Sequence, residues 1–334
     1  MTPAKVAAII PYFQRDKTLL LRAVRSVLAQ EGVDPPAVVV VDDGSPLPAR
    51  EALADLAPDE RALVRLIEQP NAGPGAARNR GLAAMDPDVT YAAFLDSDDV
   101  WLPMHLRNAV AALDLGYDFY FADSREADRS QSHFEDGDGA VIRDLFAARP
   151  GVDGILFRDD EFFSQTVKDN LIGPSSVVFR VASFRDARFI EDLWVGEDRM
   201  FWLEILSRTR KVAVSTAIEV VMGTGISIYR SIDWGTEKSL RGYVEQTRMR
   251  KEIVRRFRLD AAQRRDNDAA IAELRQAFVL NVGHCLLHQR RLFGPLVARQ
   301  VRQDPLTALL AAPIMVRRLI ARVLTGAGTA PAAR

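Results

Sequence analysis

Cysteine is nearly absent: Cys285 is the only one in 334 residues. A single cysteine excludes an internal disulfide framework and a cysteine-based zinc site. It sits in the apolar stretch VGHCLLH, which reads as a buried structural thiol, and its solitude fits a reducing compartment. Long apolar runs are missing as well. No segment approaches the ~18 residues of a spanning helix. The apolar stretch Val6 to Ile10 ends at Pro11, which is strand length rather than a secretory core, so no signal peptide and a cytoplasmic location are expected. Phosphate-loop signatures are lacking too. The glycine-rich segment NAGPGAARNRG (71–81) has neither the Lys-Ser/Thr of a P-loop nor the dinucleotide fingerprint.

What is present is ordinary globular material: 48% hydrophobic and 27% charged residues, in a chain long enough for about two domains. The net charge of −1 hides an asymmetry. Residues 240–334 hold 18 Lys/Arg against 7 Asp/Glu, whereas residues 1–239 hold 26 against 38. An acidic N-terminal part is thus followed by a basic C-terminal one, a pattern that suits anionic lipid or nucleic acid. No nucleic-acid-binding motif accompanies it, so no nucleic-acid partner is expected.

The first third alternates short apolar runs with amphipathic segments. VAAII (6–10), AVVVV (37–41), LVRLI (63–67), YAAFL (91–95) and FYFA (119–122) read as strands. Helices are predicted over 17–30, 74–84 and 103–113. This alternation means βαβ units and a mostly parallel sheet flanked by helices, an α/β fold whose ligands bind beyond the carboxyl ends of the strands. Residues 124–170 read as loops and short elements. Beyond them come a strand at 176–180, a helix around 198–207, a strand at 212–216, and a largely helical stretch over 237–303.

Acidic residues lie at the strand ends. Asp42 and Asp43 follow AVVVV in VDDGSPLP, and Asp96, Ser97, Asp98 and Asp99 follow YAAFL in FLDSDDVWLP. Neighbouring carboxylates in low dielectric need a cation or donor groups to offset their repulsion. Mg²⁺ and Mn²⁺ bind through carboxylate and phosphate oxygens together, so a D-x-D at a strand end is suited to a metal bridging a diphosphate. Each cluster also has a plainer explanation: DDGS as a strand-to-helix turn with a capping Asp, DSDD as a cap for the following helix. The glycine-rich 71–81 segment can present N–H groups to an anion, with Arg78 and Arg80 adding positive charge, or can be a solvated helix start.

Five segments, in order, resemble family 2 glycosyltransferases of the GT-A fold: VAAIIPYFQRDKTLLLRAVRSVLAQ, VVVVDDGS, NAGPGAARNRGL, FLDSDDVWLP and GEDRMFWLEIL, spanning most of residues 6–206. The later segment SIYRSIDWGTEKS (227–239) is also similar to bacterial exopolysaccharide glucosyltransferases of the succinoglycan type. The resemblance implies an inverting, metal-dependent transferase using a nucleoside-diphosphate sugar, in particular a UDP-hexose, with Mn²⁺ or Mg²⁺. It places Pro11, Phe13 and Asp43 at the nucleoside base, although Tyr12-Phe13 stands where the family has Thr-Tyr. Arg78 falls near the base, Asp96 and Ser97 at the nucleotide sugar, and Asp98 on the metal. Asp198 matches the general base, with Glu197 as the fallback. Gly173, Ser175 and Ser176 match the acceptor region. In the lid region 227–239 many relatives carry a histidine, but the four histidines here are at 105, 133, 284 and 288. Either Arg230 or Asp233 substitutes for it or the role is absent, and Trp234 is either a sugar platform or a core residue.

The implied organisation is a catalytic domain over 1–236, a helical basic region over 237–324 and a disordered tail over 325–334. After Pro313, Val316, Leu319, Ile320 and Val323 share one face of a predicted helix, with Arg318 and Arg322 opposite. This arrangement suits the anionic cytoplasmic face of the inner membrane, where a polyprenyl-diphosphate-linked glycan would be the acceptor; a free saccharide is the other acceptor class. Two rival functions fit parts of the sequence. DSDDV matches the haloacid-dehalogenase phosphatase pattern, with Asp96 as nucleophile and Asp98 as acid/base, and a non-catalytic nucleotide-sugar-binding protein would keep the same pocket.

Overall fold

The computed structural model describes residues 5–150, 152–225, 233–289 and 293–325. The chain divides into two compact units, residues 1–228 and 229–334.

The first unit is built on a ten-stranded sheet. Its strands in chain order are β1 (Val6–Tyr12), β2 (Ala37–Asp42), β3 (Val64–Glu68), β4 (Tyr91–Phe94), β5 (Val100–Trp101), β6 (Phe119–Glu126), β7 (Ala147–Arg149), β8 (Val152–Arg158), β9 (Val178–Arg180) and β10 (Val212–Met222). They lie in the order β3-β2-β1-β4-β9-β6-β10-β8-β7, with β5 paired to β10. β1, β2, β3 and β4 are parallel neighbours, and β6 is parallel to β10. The sheet is mostly parallel and flanked by helices, as the βαβ pattern requires. β1 and β2 are buried almost throughout, which is why they are continuous apolar runs rather than alternating ones.

The helices follow their sequence signals. Asp16 caps the helix Lys17–Leu28 by accepting the Thr18 N–H at 2.9 Å, and Leu20, Ala23, Val24 and Val27 form its buried face. Pro74 opens the helix Pro74–Ala84 in its first turn. This helix is no solvated start. Gly75 to Asn79 and Gly81 are buried, and only Arg80 of the two expected arginines faces solvent. Gly81 permits the close approach: a Cβ there would lie 2.4 Å from the Ile9 side chain on β1.

Three features depart from the sequence expectations. β9 is antiparallel to both β4 and β6, so it breaks the parallel run in the middle of the sheet. Residues 124–170 are not mainly loop: β7 and β8 form a hairpin joined to β10, with Ile155 and Phe157 turned into the core. The apolar run of β8 is only Ile155 to Phe157, with Asp153-Gly154 before it and Arg158-Asp159-Asp160 after it, which masks the strand in the sequence. β10 reaches Met222, well beyond the expected 216, because a bulge after Ser215 lets it continue along β6.

The second unit contains the helices Glu237–Arg256, Ala261–Gln289, Gly294–Gln303 and Leu306–Thr325. Leu240, Val244, Phe278, Cys285 and Phe293 make its small core, so Cys285 is the buried thiol its surroundings implied. Asp304 is a buried polar hub, paired to Arg275 at 2.7 Å and Lys251 at 3.2 Å. No described helix is long and apolar enough to cross a membrane. Apart from Thr325, the expected tail lies outside the described residues.

Candidate active site

The site is assembled where β1, β2 and β4 end. The first acidic pair divides its work. Asp42 makes the turn, accepting N–H groups of Ser45 at 2.8 Å and Ala49 at 2.7 Å. Asp43 clasps the glycine-rich segment: one oxygen accepts Gln69 Nε2 and the Ala72 N–H, the other the Gly73 N–H, each at 2.8 Å. Both Asp43 oxygens are therefore engaged by the loop before the helix Pro74–Ala84. Beside them at the end of β1, Pro11 is half-buried and the Phe13 ring is exposed.

That helix carries Arg78, which is buried and shared between two carboxylates. Its Nη2 donates to Asp96 at 2.7 Å and its Nη1 to Glu197 at 3.0 Å. Burial disfavours the cation, but Asp96 and Glu197 outweigh it and hold its pKa above the ordinary arginine value. Asp96 belongs to the loop after β4, while Glu197 opens the helix Glu197–Leu206. One guanidinium thus fastens the D-x-D to the Gly196-Glu197-Asp198 turn. Asn79 secures the same junction, exchanging hydrogen bonds with the Phe189 backbone and reaching Glu191. Gly196 enters the helix at φ 79°, a left-handed conformation that glycine adopts without strain.

The carboxyls here are strained electrostatically. Burial, then the neighbouring Asp198, raises the Glu197 pKa to about 7, with Arg78 opposing. Asp198 is half-buried beside it and is also raised, by burial first, again against the pull of Arg78. Groups tuned toward neutrality in this way are suited to taking up a proton near physiological pH.

The D-x-D loop is fixed from three sides. Ser97 is buried, and its Oγ accepts Gln14 Nε2 at 3.2 Å. Asp98 accepts the Gly225 N–H at 2.8 Å. Asp99 accepts the Gly223 N–H at 2.8 Å and the Ser175 hydroxyl at 2.5 Å, and burial with Asp96 and Asp98 pushes its pKa up to about 8. Gly223 and Gly225 allow this contact, since a Cβ at Gly223 would lie 1.8 Å from the Asp98 carbonyl oxygen. Among the described residues, no group of three or more His, Cys, Asp or Glu side chains is arranged to hold a metal ion. The donor set is nonetheless all hard oxygen, as Mg²⁺ or Mn²⁺ requires when one or two carboxylates share the ion with phosphate.

The sequence of glycosyl transferase family 2 matches residues 7–186, a span that contains both acidic strand ends and the arginine helix. The chain belongs to this family. It is 35% identical over 233 residues to the succinoglycan biosynthesis protein ExoW of Rhizobium meliloti, covering 69% of this chain and 72% of that one. S. aureus TarS 1-349 in complex with UDP-GlcNAc superposes with a TM-score of 0.57 at 16% identity, covering 92% of each chain. A mannosyltransferase from Pyrobaculum calidifontis, PcManGT, in complex with GDP-Man and Mn²⁺, gives a TM-score of 0.57 at 16% identity over 98% of this chain and 84% of that one. At such identities the likeness is one of fold, the GT-A fold. Family membership sets the phosphatase reading aside, and the acidic motif follows the fourth strand in chain order rather than the first.

The remaining expected residues scatter. Gly173 opens onto free space, but Ser175 and Ser176 are buried. Ser175 accepts the Asp96 N–H at 3.0 Å and, through its carbonyl, Trp101 Nε1 at 2.6 Å. It braces the acidic loop. Arg230 lies outside the described residues. Asp233 and Trp234 belong to the second unit, where Asp233 is exposed and the Trp234 ring meets His284 edge-on. Sequence reasoning missed Trp194, a half-exposed ring 3.7 Å from where a Cβ on Gly73 would stand. Its only sequence signal was an aromatic four residues before Asp198.

Proposed function

We propose that this family 2 enzyme is an inverting glycosyltransferase. It moves a hexose from a nucleoside-diphosphate donor, best a UDP-sugar, to a glycan hydroxyl in surface polysaccharide synthesis. The observation that carries the reading is Arg78 bridging Asp96 and Glu197, because it joins a diphosphate-binding motif to a candidate base in one cluster. The relationship to ExoW supports the polysaccharide assignment, and the TarS likeness supports a UDP-sugar. Pro11 and Phe13 line the base pocket, with Phe13 as the stacking face and Asp43 holding the wall behind it. Asp96 and Ser97 address the ribose and phosphate side. Trp194 and Gly173 face the acceptor.

Asp98 would hold Mg²⁺ or Mn²⁺, which when bound would supply positive charge to offset that of the leaving diphosphate. Asp198 accepts the proton of the acceptor hydroxyl as that oxygen bonds to the anomeric carbon from the opposite face. The carbon–oxygen bond to the diphosphate breaks and its electron pair leaves with the diphosphate, so one displacement inverts the configuration. Arg78 keeps Glu197 and Asp96 in place and lowers the cost of ionising Asp198. The acceptor is a saccharide or a polyprenyl-diphosphate-linked glycan at the cytoplasmic face of the inner membrane.

The test is nucleotide release and product anomer with a panel of UDP-hexoses. Asp198→Asn is expected to lose roughly 10²–10⁴ in kcat, while the donor still protects the protein from thermal unfolding. Retention of the donor's anomeric configuration, or full activity in Asp198→Asn, refutes the mechanism.

A further inference from the structure

The second unit ends in a helix turned the wrong way round for a soluble protein. On Leu306–Thr325, Leu306, Leu309, Leu310, Val316 and Ile320 are all exposed, Leu309 to 72%. Their spacings of three, one, six and four residues put them on one stripe of an α-helix. The opposite face is the one that packs. Thr307 is buried and hydrogen-bonds Asp304, and a Cβ on Gly283 would lie 2.7 Å from the Met315 methyl. The unit therefore covers the less apolar side of this helix and leaves the apolar stripe open.

The neighbouring helix also carries exposed leucines. Asp304 pairs with Arg275 and Met315 lies by Gly283, so Leu306–Thr325 runs parallel to Ala261–Gln289. Leu286 and Leu287, both exposed, then stand at the same end as Val316 and Ile320. An exposed apolar stripe of this kind marks an interaction site.

Charge selects the occupant. The helix carries Arg317, Arg318 and Arg322 and no acidic residue. Arg317 is exposed, and helical spacing places it inside the stripe near its Leu310 margin, between Leu306 and Leu310 in projection. A second copy docking on the same face would set an arginine-only surface against itself, a repulsive isologous contact. An anionic lipid leaflet matches both elements: acyl chains receive the leucines while arginine stems snorkel to phosphate. We infer that the stripe Leu306–Leu309–Leu310–Val316–Ile320, with Arg317 inside it, is an interfacial surface that seats this helix flat in an anionic membrane. The inference gives the proposed lipid-linked acceptor a physical location, but its evidence is independent of the chemistry at Asp198.

The test uses the full chain and flotation with vesicles of phosphatidylcholine alone or mixed with phosphatidylglycerol. Binding is expected to the mixed vesicles, to weaken in high salt, and to be at least roughly tenfold lower on phosphatidylcholine. Leu309→Asp/Val316→Asp/Ile320→Asp should abolish it while circular dichroism and donor protection stay unchanged. Equal binding of the triple variant overturns the proposal. So does a soluble dimer that dissociates in the triple variant without any vesicle binding, which would assign the stripe to a second copy. Transfer to a soluble acceptor, assayed without vesicles, reports on the active site alone, so failure of one reading is distinguishable from failure of the other.

Discussion

Replacing Glu197 by Gln should make the metal-free, donor-free protein more stable at neutral pH than the wild type, and by a calculable amount. The folded protein raises this carboxyl from 4.5 to about 7, chiefly by burial and then by Asp198. Between those two values the unfolded chain has lost the proton while the folded one keeps it. Stability must then fall as pH rises through that window and level off above about 7. At ~1.4 kcal/mol per pH unit, the gap is worth about 3 kcal/mol. Glu197→Gln removes this titration while keeping an acceptor for the Arg78 guanidinium. Asp99 titrates in both proteins and largely cancels in the difference, whereas Asp198 is coupled to Glu197, so the difference belongs to the pair. Urea denaturation curves at intervals from pH 4.5 to 8, followed by tryptophan fluorescence, give that difference directly. It should grow by about 3 kcal/mol in favour of Glu197→Gln across the range. A flat difference, or one that grows in favour of the wild type, refutes the electrostatic account of the site.

Arg78→Met leaves two carboxylates without their cation and should cost about 3–5 kcal/mol at pH 8, less at pH 5 where Glu197 is protonated; denaturation at both values checks this. Gly223→Ala forces a Cβ to within 1.8 Å of the Asp98 carbonyl, so the strand end must shift, and both Tm and donor protection should fall together. Trp194→Ala should raise the acceptor KM several-fold with little change in Tm, because the ring is half-exposed; kinetics against a soluble acceptor, with a melting curve, separate the two.

The parallel half of the sheet was legible because buried β-strands announce themselves as continuous runs such as AVVVV, and because Asp16 and Pro74 mark helix starts in the local sequence. β8 was not, since its apolar run is only three residues long between charged flanks and its partner β10 lies more than fifty residues away. The acidic residues were found from position alone, at strand ends. What each one does was hidden, because function there depends on long-range partners. Nothing near Asp43 in sequence says that its oxygens hold residues 69–73, and nothing near Ser175 says that its hydroxyl reaches Asp99. The glycines at 223 and 225 were invisible for the same reason: their purpose is to be thin where another loop passes. The C-terminal helix shows the converse failure. Its amphipathic pattern was readable, but only packing through Met315 decides which side the rest of the protein takes.

The shared guanidinium also constrains how this enzyme can diverge. Because a single buried side chain serves both Asp96 and Glu197, neither carboxylate can be altered without disturbing the other. On the proposed reading, variation in what the enzyme binds falls to exposed rim positions such as Phe13 and Trp194, where a change of shape leaves the charge balance beneath untouched.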